Sequence, residues 1–126
     1  EIWGTGEQTR NFTYVEDVVR GLVLACEHIE DGSAVNAGTA DFISLNQAAD
    51  TVFDILGWRP AELRHLASKP VGVLHRAADL SYAQATTGWR PEYSFEQGLK
   101  TTIDWYVNNN DREQIREKLE TLLMSR

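Results

Sequence analysis

Apolar residues recur at three- and four-residue intervals from Val15 onward, through Val18, Val19, Leu22, Val23, Cys26 and Ile29. That period predicts a helix with one apolar face, and Asp31-Gly32-Ser33 supplies the turn that ends it. Just before it, Arg10-Asn11-Phe12-Thr13-Tyr14-Val15 alternates and is rich in aromatic and β-branched residues, which predicts a short strand. Ala34-Val35-Asn36-Ala37-Gly38 is a short apolar run closed by glycine and predicts a buried strand. Ser44-Leu45-Asn46-Gln47 has the spacing of a capping box, in which serine caps an amide and glutamine reaches back. The helix it opens carries Leu45, Ala48, Ala49, Val52, Phe53 and Leu56 on one face, and Gly57 and Pro60 stop it.

The second half repeats this grammar. Ala61-Glu62-Leu63-Arg64-His65-Leu66 alternates as a strand does, and Lys69-Pro70-Val71-Gly72 reads as a turn or loop. A short helix is predicted from near Asp79 to Gly88. Ser94-Phe95-Glu96-Gln97 is a second capping box, opening a helix with Leu99, Thr102, Ile103 and Tyr106. Asn108-Asn109-Asn110 interrupts it, and a charged last helix follows with a narrow stripe of Ile115, Leu119, Leu122 and Leu123. The elements are mixed α/β, with more helix than strand.

Composition narrows the function. The chain has 126 residues, 42% hydrophobic and 25% charged, as expected of one globular domain with a modest core. Its formal net charge of -7 repels phosphate backbones and anionic lipid, which argues against nucleic-acid or membrane binding. The single cysteine, Cys26, allows neither an intrachain disulfide nor a thiolate zinc cluster, so a cytoplasmic setting is expected. On the apolar face of its helix, Cys26 is expected to be an inert core thiol. No apolar run approaches the ~18–20 residues of a membrane span. Glu1-Ile2-Trp3-Gly4 lacks both the form of a signal peptide and a starting methionine, so the chain looks cut from a longer one or begins where a tag was removed.

No catalytic motif is self-sufficient here. His28, His65 and His75 are not at metal-ligand spacing. Gly4-Thr5-Gly6 precedes a strand, whereas a dinucleotide loop follows a strand and opens a helix. What remains is Arg10, directly after the glycine turn, and Arg76, three residues before Asp79. Guanidinium forks suit phosphate oxygens. Asp79 could hold Arg76 in place while capping the next helix, and two arginines from distant stretches could grip a diphosphate. An arginine beside a turn is also often only a solvated surface residue.

Three ordered motifs carry a family resemblance. Gly4-Thr5-Gly6-Glu7-Gln8-Thr9-Arg10-Asn11-Phe12-Thr13-Tyr14-Val15-Glu16-Asp17 resembles a segment of extended short-chain dehydrogenases, the NAD-dependent epimerases, dehydratases and reductases of nucleotide sugars. Val35-Asn36-Ala37-Gly38 with Ile43-Ser44-Leu45 looks like their next strand and helix start. Pro70-Val71-Gly72-Val73, Arg76, Asp79, Ala83, Gly88-Trp89-Arg90-Pro91 and Gly98-Leu99 look like their closing segment. Gln8-Thr9-Arg10 and Arg76 are most similar to the GDP-mannose 3,5-epimerases, and the Lys-Pro-x-Gly stretch also resembles the GDP-fucose synthases.

The resemblance implies an α/β fold: the last strands and helices of a Rossmann-type sheet plus a small substrate-binding subdomain. It covers residues 1–107, leaving 108–126 as an additional charged helix. It implies that Arg10 and Arg76 contact a nucleotide diphosphate of a GDP- or UDP-sugar. It also places Gln8 at the same pocket, with Thr9 and Asp79 in support. The Asp17 position is implied to be structural, holding the strand-to-helix turn. The family's glycine-rich NAD loop and Tyr-x-x-x-Lys pair are absent from this sequence. NAD(P) is therefore expected in a full-length enzyme and no cofactor in this chain, which is expected to be inactive alone. Expected partners are a nucleotide sugar and a cofactor-binding half. Uncovered sheet edges and helix faces also favour a homo-oligomer. A non-catalytic assembly module derived from the same fold is the competing reading. Trp89 is expected in the core, and Trp58 and Trp105 in core or interface.

Overall fold

The chain is described here by a computed structural model covering residues 1–124. Its elements are β1 (Ile2–Trp3), β2 (Thr9–Arg10), α1 (Val15–His28), β3 (Ile43–Ser44), α2 (Leu45–Leu56), β4 (His65–Leu66), α3 (Ser81–Thr87), α4 (Phe95–Asn109) and α5 (Arg112–Met124). β1 pairs in parallel with β4, Ile2 opposite His65. β2 pairs antiparallel with β3, Thr9 opposite Ser44 and Arg10 opposite Ile43.

The helices form where the periodicity places them. Both capping boxes are made: the Ser44 and Ser94 side chains accept from the Gln47 and Gln97 amides, and each glutamine accepts from its serine's amide. Gly57 ends α2 in the left-handed region at φ 61°, where a side chain would be strained. The interruption before the last helix falls at Asn110–Asp111, just beyond the first two asparagines of the run. Of the α5 stripe, the Leu122 and Leu123 side chains lie outside those described.

The strands are shorter than the alternation suggests. Of the stretch from Arg10 to Val15 only Arg10 joins a ladder, because β3 offers two partners and the chain turns into α1 after Tyr14. The run Ala34–Gly38 joins no ladder, since no strand lies beside it among the described residues. It is held by side chains instead: Asn36 donates to the Asp79 carbonyl, and Gly38 packs beside Ala78. Of Ala61–Leu66 only the last two residues pair. Their partner, β1, is too short to show a period in the sequence.

α1 sits on α3, and α2 lies against α4. The core centres on Leu80, Ala83 and Trp89, with Leu24, Val35, Ala37 and Ala78 around them. Trp89 is 1% exposed, and its indole N–H donates to the Asp17 carbonyl at 2.9 Å. Burying so large a ring needs a gap in α1, and Gly21 provides it. A Cβ there would lie 2.9 Å from both Ala37 Cβ and Trp89 Nε1. Gly21→Ala is therefore expected to lower stability by about 1–3 kcal/mol through overpacking, despite alanine's better helix propensity. Urea unfolding of the variant reads this directly.

Asp17 does more than hold a local turn. It is fully buried, and its carboxylate accepts from the Glu92 amide at 2.9 Å and the Tyr93 amide at 3.1 Å. Arg20, one helical turn on, donates to the same carboxylate and to the Arg90 carbonyl. The residue thus ties the start of α1 to the segment that leads into α4. Burial alone would raise its pKa, but the two amides and the guanidinium outweigh that and hold it below its ordinary value.

The opposite face of α1 is bare. Val15, Val19, Leu22 and Val23 are each more than half exposed, and Cys26 is exposed beside them. The expected core thiol is therefore a surface thiol: α1 buries the face that carries Asp17 and Gly21, not its most apolar one. Trp58 and Trp105 are likewise 61% and 62% exposed rather than in the core.

Candidate functional site

β2 has neighbours on both edges. On one side the Leu45 amide reaches the Gln8 carbonyl; on the other the Thr9 amide donates to the Leu74 carbonyl at 2.8 Å. The segment following Pro70 is thereby laid along β2. This local arrangement brings Arg76 to the strand that carries Arg10.

Both arginines line one open recess of about 390 Å³, together with Asn11, Asn36, Gly38 and Asp79. Their situations differ. Arg10 is half-buried, and its guanidinium is largely engaged with main chain. Nη1 donates to the Thr9 and Val73 carbonyls at 2.7 and 2.8 Å, and Nη2 donates to the Val71 carbonyl at 3.0 Å. A guanidinium has five N–H groups, so these contacts leave Nε–H and one Nη2–H for another acceptor. Arg76 is exposed and has no hydrogen-bond or ion-pair partner among the described residues. The pair anticipated between Arg76 and Asp79 is not formed. Asp79 instead accepts from the Ser81 amide at 2.9 Å, which lowers its pKa and satisfies the first amide of α3, whose N-cap residue is Leu80.

The other candidates stand just outside the recess. Gln8 is 3% exposed, and its amide donates to the Trp3 carbonyl at 2.7 Å. Thr9 shares a hydrogen bond with His75 Nδ1 at 3.0 Å. The structure thus brings Arg10, Arg76 and Asp79 to one recess, while the Gln8 and Thr9 side chains bond outside it, to Trp3 and His75. Sequence reasoning missed the ties to residues 71, 73 and 74. They run through backbone carbonyls, which leave no residue-type signal. His75 could have been paired with Thr9 only once the two segments were known to lie side by side.

The glycine turn does not fit a dinucleotide phosphate. Gly4 and Gly6 have φ of 76° and 79°, but a Cβ on them would meet Val71 Cγ1 at 2.2 Å and Asn46 Oδ1 at 1.9 Å. The space in front of the turn is filled by protein. A second depression of about 360 Å³, between residues 12–15 and α4, is lined mainly by Phe12, Tyr14, Phe95 and Leu99 and offers little to an anion. No helix among the described residues is long and apolar enough to cross a membrane.

Residues 1–38 match the model of the NAD dependent epimerase/dehydratase family. Over 108 residues the chain is 31% identical to a probable GDP-L-fucose synthase 1 of Oryza sativa subsp. japonica, covering 86% of this chain and 32% of the relative. It is 32% identical to the UDP-glucuronate 4-epimerase of Thermodesulfobacterium geofontis over 86% of this chain and 33% of that one. Among solved structures, MoeE5 in complex with UDP-glucuronic acid and NAD superimposes with a TM-score of 0.78 at 33% identity, covering 86% of this chain and 36% of that one. The UDP-glucose 4-epimerase of Thermotoga maritima, solved with UDP-glucose, gives 0.77 at 32% identity, covering 86% and 35%. The chain spans about a third of the length of the curated relatives it matches.

Proposed function

We propose that this chain is part of a member of the NAD-dependent epimerase/dehydratase family and binds the diphosphate of a nucleotide sugar in the recess shared by Arg10 and Arg76. One observation carries the reading. Two arginines distant in sequence line a single cavity on an otherwise acidic chain, and one of them has no hydrogen-bond or ion-pair partner among the described residues. A diphosphate offers several acceptor oxygens, and charge-assisted hydrogen bonds from guanidinium groups are the strong kind. Arg76 supplies a free fork, and Arg10 supplies the two N–H groups left by its main-chain contacts. Asn11 and Asn36 each spend an amide N–H on main chain, to the Asp41 and Asp79 carbonyls, and so stiffen the rim. The diphosphate is common to UDP- and GDP-sugars, which matches the mixture of relatives.

Turnover is placed elsewhere: hydride chemistry of this family belongs to a cofactor-binding half supplied outside these residues, with this chain holding the substrate against it. Calorimetric titration tests the binding step. UDP-glucose and GDP-mannose are expected to bind and the free sugars not to, with affinity falling as salt is raised. Absence of heat for every nucleotide sugar at millimolar ligand contradicts the proposal.

A second reading is favoured by α1, whose exposed valines and Leu22 form a contiguous apolar strip. In it, the chain acts by assembly, covering that strip with another protein surface. Light scattering at micromolar concentration distinguishes the two: a monomer that binds nucleotide sugar supports the first, and an oligomer without nucleotide affinity supports the second.

A further inference from the structure

We infer that Arg10 is chiefly a positioning residue, holding the segment that presents Arg76 through its backbone carbonyls. The inference rests on the nucleotide-sugar reading for its functional consequence but not for its structural content. Three of the five guanidinium N–H groups of Arg10 are directed at the Thr9, Val71 and Val73 carbonyls. A residue whose only task was to meet phosphate would leave its fork open, as Arg76 does.

The segment it holds has little else to fix it. Val73, Leu74, His75 and Arg76 are all exposed, and they form no regular element. Beyond Arg10, its ties to β2 are the Thr9 amide to the Leu74 carbonyl and the Thr9 hydroxyl to His75. Gly72 adds a left-handed backbone at φ 69°, which lets the chain bend around the guanidinium. A lysine at position 10 keeps the charge but cannot reach several carbonyls in a planar fork. Arg10 thus sets where the Arg76 guanidinium sits before any ligand arrives, a form of preorganisation.

Arg10→Lys in the 126-residue chain separates this from a purely electrostatic role. Exchange of the Thr9 amide, bonded to Leu74, is read without ligand and corrected for the sequence change. It is expected to quicken about tenfold or more, with amides of α1 unchanged. UDP-glucose affinity, read by calorimetry, is expected to fall about tenfold although the net charge is the same. A Thr9→Val companion, which removes only the His75 tie, is expected to shift both readouts in the same direction by less. Unchanged Thr9 exchange in Arg10→Lys overturns the inference whatever the nucleotide does. Quickened exchange with unchanged affinity overturns the positioning role. Quickened exchange in a chain that binds no nucleotide sugar at all supports the clamp while refuting the proposed function.

Discussion

Asp17→Ala is expected to lower folding stability by about 2–5 kcal/mol, chiefly because two part-buried amides lose their acceptor. The substitution leaves the Glu92 and Tyr93 amides without their acceptor and takes one of the two carboxylates that Arg20 pairs with, Glu92 remaining. For a domain with about 5–15 kcal/mol in total, that is enough to populate unfolded chain at room temperature. The effect has a pH signature. The folded pKa of Asp17 lies below its ordinary value of 3.8. Its contribution is therefore complete above that value and is lost as pH falls through the folded pKa. Urea midpoints measured from pH 7 downward are expected to show a gap between wild type and variant that narrows as pH falls below about 3.8. A gap that does not narrow in acid would mean the loss comes from packing rather than from the carboxylate.

Arg76→Ala is expected to weaken nucleotide-sugar binding about 10- to 100-fold, equivalent to about 1.5–3 kcal/mol for hydrogen bonds to a charged group. The thermal midpoint is expected to stay where it is, because Arg76 is exposed and bonds to no other described residue. This split is the diagnostic feature. Truncating Arg10 should disturb both affinity and local order, since its guanidinium also holds the Val71 and Val73 carbonyls. Calorimetry alongside differential scanning fluorimetry reads both quantities on one preparation. An Arg76→Ala protein with wild-type affinity would place the anion somewhere other than this recess.

The helices were legible because their information is local. A 3.6-residue apolar period and two Ser-x-x-Gln boxes sit within single segments, and α1, α2 and α4 follow them closely. The strands were not, because pairing depends on what lies alongside. Ala34–Gly38 has a strand-like sequence, yet no described strand adjoins it. β1 has almost no sequence signal and forms because β4 is beside it.

The same distinction explains the burial of α1. Its apolar stripe suggested a buried face, but Asp17 and Gly21, polar and small, are the residues that meet the rest of the chain. A buried aspartate looks like a surface residue until the two amides that need it are known. At the recess, the arginine fork pointed to Arg10 and Arg76 as chemistry. The contacts that separate a clamp from a free cation are made to carbonyls, which every residue has. Family motifs supplied the order of the segments, and the fold supplied the proximity.

The central claim, that an anionic diphosphate lies between the two guanidinium groups, is tested most directly by amide chemical-shift mapping during titration with UDP. The expected result is a set of shifts concentrated at Asn11, Thr13, Gly38, Ala77 and Ala78, with the Arg10 and Arg76 side-chain N–H signals moving at the same ligand concentration. Shifts confined to the apolar depression beside α4, or none at all, would contradict it.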